Sequence, residues 1–328
     1  MKESEISLLR VRLRECAAQC LSALSLSPVG RSQDLPLTDA CHEVLSDAFL
    51  SSIRGHRLNY RSTEWCEPAK IKLERLELLH SEHLAQKYVQ DLLRMQACPA
   101  PPQAIHALQC HGPSGCKNEY FLVHGAPENV LDMIKENGFD PQRGGEGNDN
   151  LFGVGAYFAE NASKSDLYAK PDPTGLRSQL VARVALGNIY VAEAHMRCAV
   201  HAPYTDSSNM RMHDSVLAST RDEGGCVDFR EYIVYKTPQA LPLAQIWYRH
   251  LPHCKCTLCR RGWAVPDDPL VKGIGAAAGV ASSEVSEVAD HAPELEVTGA
   301  MLLTSVTTRR ESKARARCSA PACTRART

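Results

Sequence analysis

At 328 residues with 44% hydrophobic content, the chain is long enough to bury one full core and a small second one. Its net charge of −1 supplies no global field of the kind that draws a protein to nucleic acid, and no stretch approaches the roughly 20 apolar residues of a membrane span. The 14 cysteines are scattered, and Glu3 and Glu5 stand where a secretory signal would place its basic region. No membrane partner is expected, and a reducing compartment is, cytoplasmic and/or nuclear, with most thiols free or buried and a few holding metal.

Residues 1–54 read as an N-terminal helical extension. Ile6, Leu9, Leu13, Ala17 and Cys20 recur at helical spacing, Pro28-Val29-Gly30 ends that pattern, and residues 39–50 predict a second short helix. Residues 55–250 have the density of a folded domain. It opens on an extended segment, Ala69-Lys70-Ile71-Lys72-Leu73, that leads into a helix over residues 81–95, and Cys98-Pro99-Ala100-Pro101-Pro102 breaks that helix. Tyr120-Phe121-Leu122-Val123 is an aromatic and β-branched run that predicts a buried strand. A helix is expected over 127–137, with Pro127 at its first position, Val130, Leu131 and Ile134 on one face, and Asn137-Gly138 closing it.

Residues 143–150, rich in Gly, Asn and acid, predict a mobile loop. A strand over 155–159 follows, then a helix capped by Asn161 and running through Lys164. Residues 180–186, 232–235 and 244–248 are strongly strand-like. Strands and helices mix without βαβ alternation, which argues for an α+β fold with a largely antiparallel sheet. Residues 251–267 form a Cys/His-rich segment, and 268–328 a disordered linker and basic C-terminal tail.

Four short pieces carry the chemistry: His124-Gly125, Gly155-Ala156-Tyr157-Phe158-Ala159, Ser163-Lys164-Ser165-Asp166-Leu167-Tyr168, and Glu231-Tyr232-Ile233-Val234-Tyr235. Taken singly, each residue has an ordinary structural use. In this order, across a domain of this size, they resemble the catalytic domain of the poly(ADP-ribose) polymerases, in its tankyrase-like branch. The resemblance implies the ADP-ribosyltransferase fold, a mainly antiparallel split β-sheet core flanked by helices. It also implies an NAD-dependent ADP-ribosyltransferase that releases nicotinamide and transfers ADP-ribose, as single units or chains, to protein acceptors including itself.

By that resemblance His124, Tyr157 and Glu231 are the catalytic set. Loss of nicotinamide passes through an oxocarbenium-like state, and a carboxylate beside the ribose 2′-hydroxyl gains strength as that charge builds. Glu231 is the expected carboxylate, with Glu223 and Asp228 as nearby rivals. Tyr168 would stack on the nicotinamide and Tyr157 line the other side of its pocket. Gly125 and Ser165 would grip the carboxamide, His124 would bond the adenine-side ribose, and Lys164 would steady the glutamate or the acceptor. The alternative is a catalytically silent relative that binds NAD or ADP-ribose and acts as an interaction protein. Ala126 departs from the Ser or Thr usual after His-Gly, which implies weaker NAD binding. No autoinhibitory helical domain or DNA-binding finger is visible, so DNA dependence is not expected.

Gly144-Gly145-Glu146-Gly147 does not open a helix after a strand with dinucleotide-fold spacing, so hydride transfer has no support. His250, His253, Cys254, Cys256 and Cys259 cluster closely enough to bind one Zn²⁺, with His253, Cys254, Cys256 and Cys259 the expected set and Cys110 or Cys116 as further ligands. Tankyrases carry a zinc site inserted elsewhere, where this chain has residues 170–178 and no cysteine.

Overall fold

Most of the apolar runs pair into one sheet of nine strands. In the computed structural model of the chain, the structure describes residues 39–58, 62–96, 98–110, 117–143, 150–206 and 211–260. The helical stripe from Ile6 to Cys20, the glycines at 144–147, Cys116, and the C-terminal linker and basic arm lie outside the described residues. None of the described helices is long and apolar enough to cross a membrane.

In chain order the main elements are α1 (Asp39–Ser51), β1 (Ile71–Leu78), α2 (Glu82–Arg94), β2 (Leu108–Cys110), β3 (Glu119–His124), α3 (Glu128–Asn137), β4 (Ala156–Ala159) and α4 (Ala162–Asp166). They are followed by β5 (Leu176–Ala185), β6 (Ile189–Ala192), β7 (Tyr204–Asp206), β8 (Arg211–Met212), β9 (Ser215–Ala218), β10 (Glu231–Val234), β11 (Ala240–His250) and α5 (Thr257–Arg260). The sheet runs β1-β11-β5-β3-β4-β10-β9-β6, with β2 also paired to β3. All its pairings are antiparallel except β6 with β9. This is the α+β, mainly antiparallel architecture that the absence of βαβ alternation predicts.

Side-chain alternation assigns the two faces. Leu122 and Leu180 face one core, which α3 covers with Leu131 and Ile134. Val123, Val181, Ile246 and Tyr248 face the other, which α1 covers with Leu45 and Phe49, one helical turn apart. Phe49 meets Tyr248 with ring centroids 5.4 Å apart. Burying each such side chain contributes about 1.5–3 kcal/mol, so both helices are held mainly by this packing.

Gly138 ends α3 at φ +81°, a left-handed conformation that favours glycine, and its N–H donates to Ile134 O at 2.8 Å. Pro127 stands one place earlier than expected, at the N-cap. Asn161 takes the N-cap position of α4, but its side chain makes no cap bond; Nδ2 donates instead to Ser52 O at 3.2 Å. Strand β5 begins at Leu176, before the apolar run at 180–186. Several of its buried polar groups have partners: Ser178 donates to Glu128, and Gln179 Nε2 to Tyr248 Oη at 2.7 Å.

The feature that makes room for a site is a split. Strand β3 pairs with β5 over six residues, but with β4 at one position only, Val123 opposite Ala159. Strand β4 instead pairs with β10 over four residues. The two halves of the sheet are joined by that single backbone pairing, and α4 packs across β3, β4 and β5 beside it.

Candidate active site

Gly125, just past β3, is where the strand and α4 come closest. A Cβ there would fall 1.9 Å from Ser165 O, so no residue with a side chain fits. Ser165 Oγ, buried, donates to Val123 O at 3.1 Å and keeps lone pairs to accept from a ligand. His124 sits at the same end of β3, its Nδ1 2.8 Å from Tyr157 O. A carbonyl only accepts, so Nδ1 carries the proton and Nε2 is left as an acceptor. Burial lowers the His124 pKa, which favours the neutral ring. Phe139 and Phe158 hold that ring with centroids 5.3 and 5.7 Å away.

Tyr157 is locked at its far end. Its hydroxyl accepts from Phe152 N at 3.0 Å and donates to Gly153 O at 2.8 Å, and burial raises its pKa. The negative charge of Glu231 bears on it as well.

Glu231 opens β10 between Ala159 and Ala218, and is 6% exposed. Lys164 Nζ stands 2.8 Å from its Oε1. The same ammonium donates to Tyr168 Oη at 3.2 Å and lies 5.3 Å from the ring centroid. Burial, the largest single influence, would lower the Lys164 pKa; the charge of Glu231, the Tyr168 hydroxyl and the hydrogen bonds to both together outweigh it and hold the ammonium protonated. Tyr168 is 36% exposed, so its ring is available as a surface. The structure thus gathers His124, Gly125, Tyr157, Lys164, Ser165, Tyr168 and Glu231 around the split. Ala126, beside them, packs into the core on the α3 face.

The rival acids are otherwise engaged. Glu223 closes a capping box with Thr220 and pairs with the Arg230 guanidinium, whose hydrogen bonds bring its pKa down to about 2. Asp228 lies 3.1 Å from Arg57 Nε and 3.2 Å from Arg221 Nε. Both read as structural.

Two residues that the sequence did not single out hold α4 in place. Ser163 accepts from Arg54 N and donates to Arg54 O at 2.8 Å, while His56 Nε2 meets Ser163 O at 2.8 Å. Asp166 is 3% exposed; its Oδ1 accepts from Tyr248 Oη at 2.6 Å and its Oδ2 lies 2.9 Å from His250 Nε2. A carboxylate inside a short polar helix carries no sequence mark that separates it from a solvated one.

The metal-ligand set needs one correction. His253 is exposed in the turn after β11 and lies outside the cluster, whereas His250, the last residue of β11, takes its place. The ligand atoms of His250, Cys254, Cys256 and Cys259 lie within 4.8 Å of one another. Cys110 is buried elsewhere, beside Arg183 and Glu119, and its thiol pKa is pushed up by that burial.

The sequence model of the Poly(ADP-ribose) polymerase catalytic domain matches residues 57–243, a stretch that contains the whole cleft. The chain is 28% identical over 164 residues to "Poly [ADP-ribose] polymerase tankyrase" of Caenorhabditis elegans, covering 40% of this chain and 7% of that protein. It is 26% identical over 234 residues to "Protein mono-ADP-ribosyltransferase PARP10" of Mus musculus, covering 70% of this chain and 21% of that one. The chain therefore spans a small part of either relative. With more than half of its length matched, and the matched stretch folded around a split sheet, the chain belongs to the poly(ADP-ribose) polymerase catalytic domain family.

Proposed function

We propose that the protein is an NAD-dependent ADP-ribosyltransferase, which breaks the nicotinamide–ribose bond of NAD and transfers ADP-ribose to protein acceptors, itself among them. The observation that carries this reading is the buried Glu231 carboxylate, held by Lys164 beside the open face of Tyr168 in the split of the sheet. Placement on the tankyrase-like branch is part of the same proposal, supported by the strand-then-helix opening of β1 and α2.

Each group has a task that its geometry suits. Tyr168 would take the nicotinamide ring on its exposed face, with Tyr157 lining the opposite wall. The backbone of Gly125 would meet the carboxamide, and Ser165 Oγ would accept from its N–H. His124 Nε2 would accept from a hydroxyl of the adenine-side ribose. As the C1′–N bond breaks, its electron pair goes to the nicotinamide nitrogen and positive charge builds on the sugar. A 2′-hydroxyl hydrogen-bonded to Glu231 strengthens that contact as the charge grows, which favours the transition state over bound NAD. The acceptor oxygen or nitrogen then bonds to C1′ and loses its proton. Lys164 keeps the carboxylate pointed at the ribose.

Incubating the purified protein with NAD labelled in the adenylate half, and measuring nicotinamide release and product size, tests this. Labelled protein is expected, and product size separates single units from chains. Turnover no faster than buffer, with NAD still bound, would replace the enzyme reading with that of a silent NAD binder.

A further inference from the structure

We infer that His250, Cys254, Cys256 and Cys259 hold one structural Zn²⁺, and that Asp166 couples this ion to the helix carrying the NAD-facing residues. The second half rests on the function proposed above; the first does not.

The ligand atoms, all within 4.8 Å of one another, are gathered near the spacing of a tetrahedral ion. Zn–S bonds of about 2.3 Å and Zn–N bonds of about 2.0–2.1 Å imply ligand-to-ligand edges of roughly 3.5–3.8 Å. His250 Nδ1 lies 3.2 Å from Cys259 Sγ, 3.5 Å from Cys256 Sγ and 4.0 Å from Cys254 Sγ. Cys256 and Cys259 have their sulfurs 3.5 Å apart, far beyond the roughly 2.05 Å of a disulfide. All three thiols are free of disulfides. Thiolates with one imidazole select zinc over hard cations, and four protein ligands leave no position open for water, so the ion would be structural and not catalytic. Lys70 N–H donates to Cys254 Sγ at 3.2 Å, an outer contact that suits a charged sulfur.

The histidine is turned the way a metal ligand must be. Its Nε2 faces Asp166 Oδ2 at 2.9 Å, so that nitrogen carries the proton and Nδ1 offers its lone pair to the sulfurs. A carboxylate on the far nitrogen fixes both tautomer and ring orientation and raises the basicity of the ligand. Asp166 also accepts from Tyr248 Oη, so one side chain binds two residues of β11 that share a strand face.

Asp166 ends α4, and Leu167, the next residue, packs against Cys254, Cys256 and Leu258. Lys164 and Ser165 precede it and Tyr168 follows. The short segment from Lys164 to Tyr168 thus faces the split with some side chains and the thiol cluster with the others. With the ion bound, residues 250–259 become a rigid floor under that segment. Without it, three free thiols and an unclamped turn support Leu167, and Tyr168 loses its fixed position.

Elemental analysis of protein purified under reducing conditions with no metal added is expected to find about one zinc per chain. Chelation should lower the melting temperature of the wild type. Asp166→Asn should keep the zinc stoichiometry but weaken zinc in chelator competition by about 10–100-fold. The same variant should raise the NAD dissociation constant several-fold by calorimetry, with a smaller change in kcat at saturating NAD. Cys259→Ser should lose the zinc; if it fails to fold, the chelator-dependent melting of the wild type reads the ion instead. Wild-type protein without zinc, its melting indifferent to chelator, would overturn the site. Zinc with unchanged zinc and NAD affinities in Asp166→Asn would overturn the coupling. Zinc without NAD binding in the wild type would support the ion and overturn its link to a nucleotide site, together with the proposed function.

Discussion

Lys164 Nζ reaches Glu231 Oε1 at 2.8 Å across the join between α4 and β10, in a pair whose side chains are 19% and 8% exposed. A buried ion pair returns little net stability, because both charges lose their water. Its value here is preorganisation: the carboxylate is already desolvated, oriented and partnered before any ligand arrives.

Glu231→Gln keeps the shape and removes the charge. Because the contact strengthens only as the sugar becomes cationic, kcat is expected to fall about 10²–10³-fold while NAD affinity changes little. Steady-state kinetics and calorimetry on wild type and variant check this. Normal turnover in the variant would move the role to another acid.

How much of this site the sequence displays depends on the kind of signal. His124, Gly125, Tyr157, Ser165, Tyr168 and Glu231 stand in short motifs of fixed order, so their gathering in one cleft is legible without the fold. The Arg230 partner of Glu223 is not, since only the turn after β9 brings the two together. Nearness to the cysteines points to His253, but strand alternation decides the matter: Tyr248 and His250 share a face of β11, and His253 lies beyond it. Strands β6 and β9 leave little trace in the sequence because they are four residues long, and β9, buried throughout, shows no alternation. Their existence depends on β10, whose edge β9 pairs with, and β9 in turn pairs with β6.

Tyr168 has its ring exposed and its hydroxyl bonded to Lys164. Tyr168→Phe keeps the face and should be mild, within a few-fold in KM for NAD. Tyr168→Ala removes it and should raise KM more than it lowers kcat, since aromatic stacking contributes about 0.5–1.5 kcal/mol to binding. Equal, near-complete loss in both variants would show that the hydroxyl is what the site uses.

Glu223 supplies a pH test of its structural role. Its folded pKa of about 2 lies below its ordinary value of 4.5, chiefly through Arg230. A depressed carboxylate contributes stability that is fully present above the ordinary value and is lost as pH falls through the folded one. Wild type should therefore melt higher than Glu223→Gln at pH 7, and the gap should close between about pH 4.5 and 2. NAD turnover of the variant should stay within a few-fold at neutral pH. A collapse of turnover without a change in melting would make Glu223, and not Glu231, the acid of the reaction.

Gly125→Ala tests whether the cleft depends on the contact between β3 and α4. The added Cβ would sit 1.9 Å from Ser165 O and 2.7 Å from Ser165 C, both backbone atoms that no side-chain rotation can clear. Either β3 or α4 must move, and overpacking of this kind costs about 1–3 kcal/mol. The shift would carry Ser165 off Val123 O and Lys164 off Glu231, so NAD affinity should fall further than the loss of stability alone explains. Gly224 is the comparison: a methyl added there would meet nothing within 4 Å, but φ +86° strains any side chain at that position. Gly224→Ala should lower the melting temperature and leave the NAD dissociation constant unchanged, whereas Gly125→Ala should change both. Thermal melting together with calorimetric NAD titration of the two variants separates these effects. Unchanged NAD affinity in a folded Gly125→Ala protein would show that the ligand does not use this approach between β3 and α4.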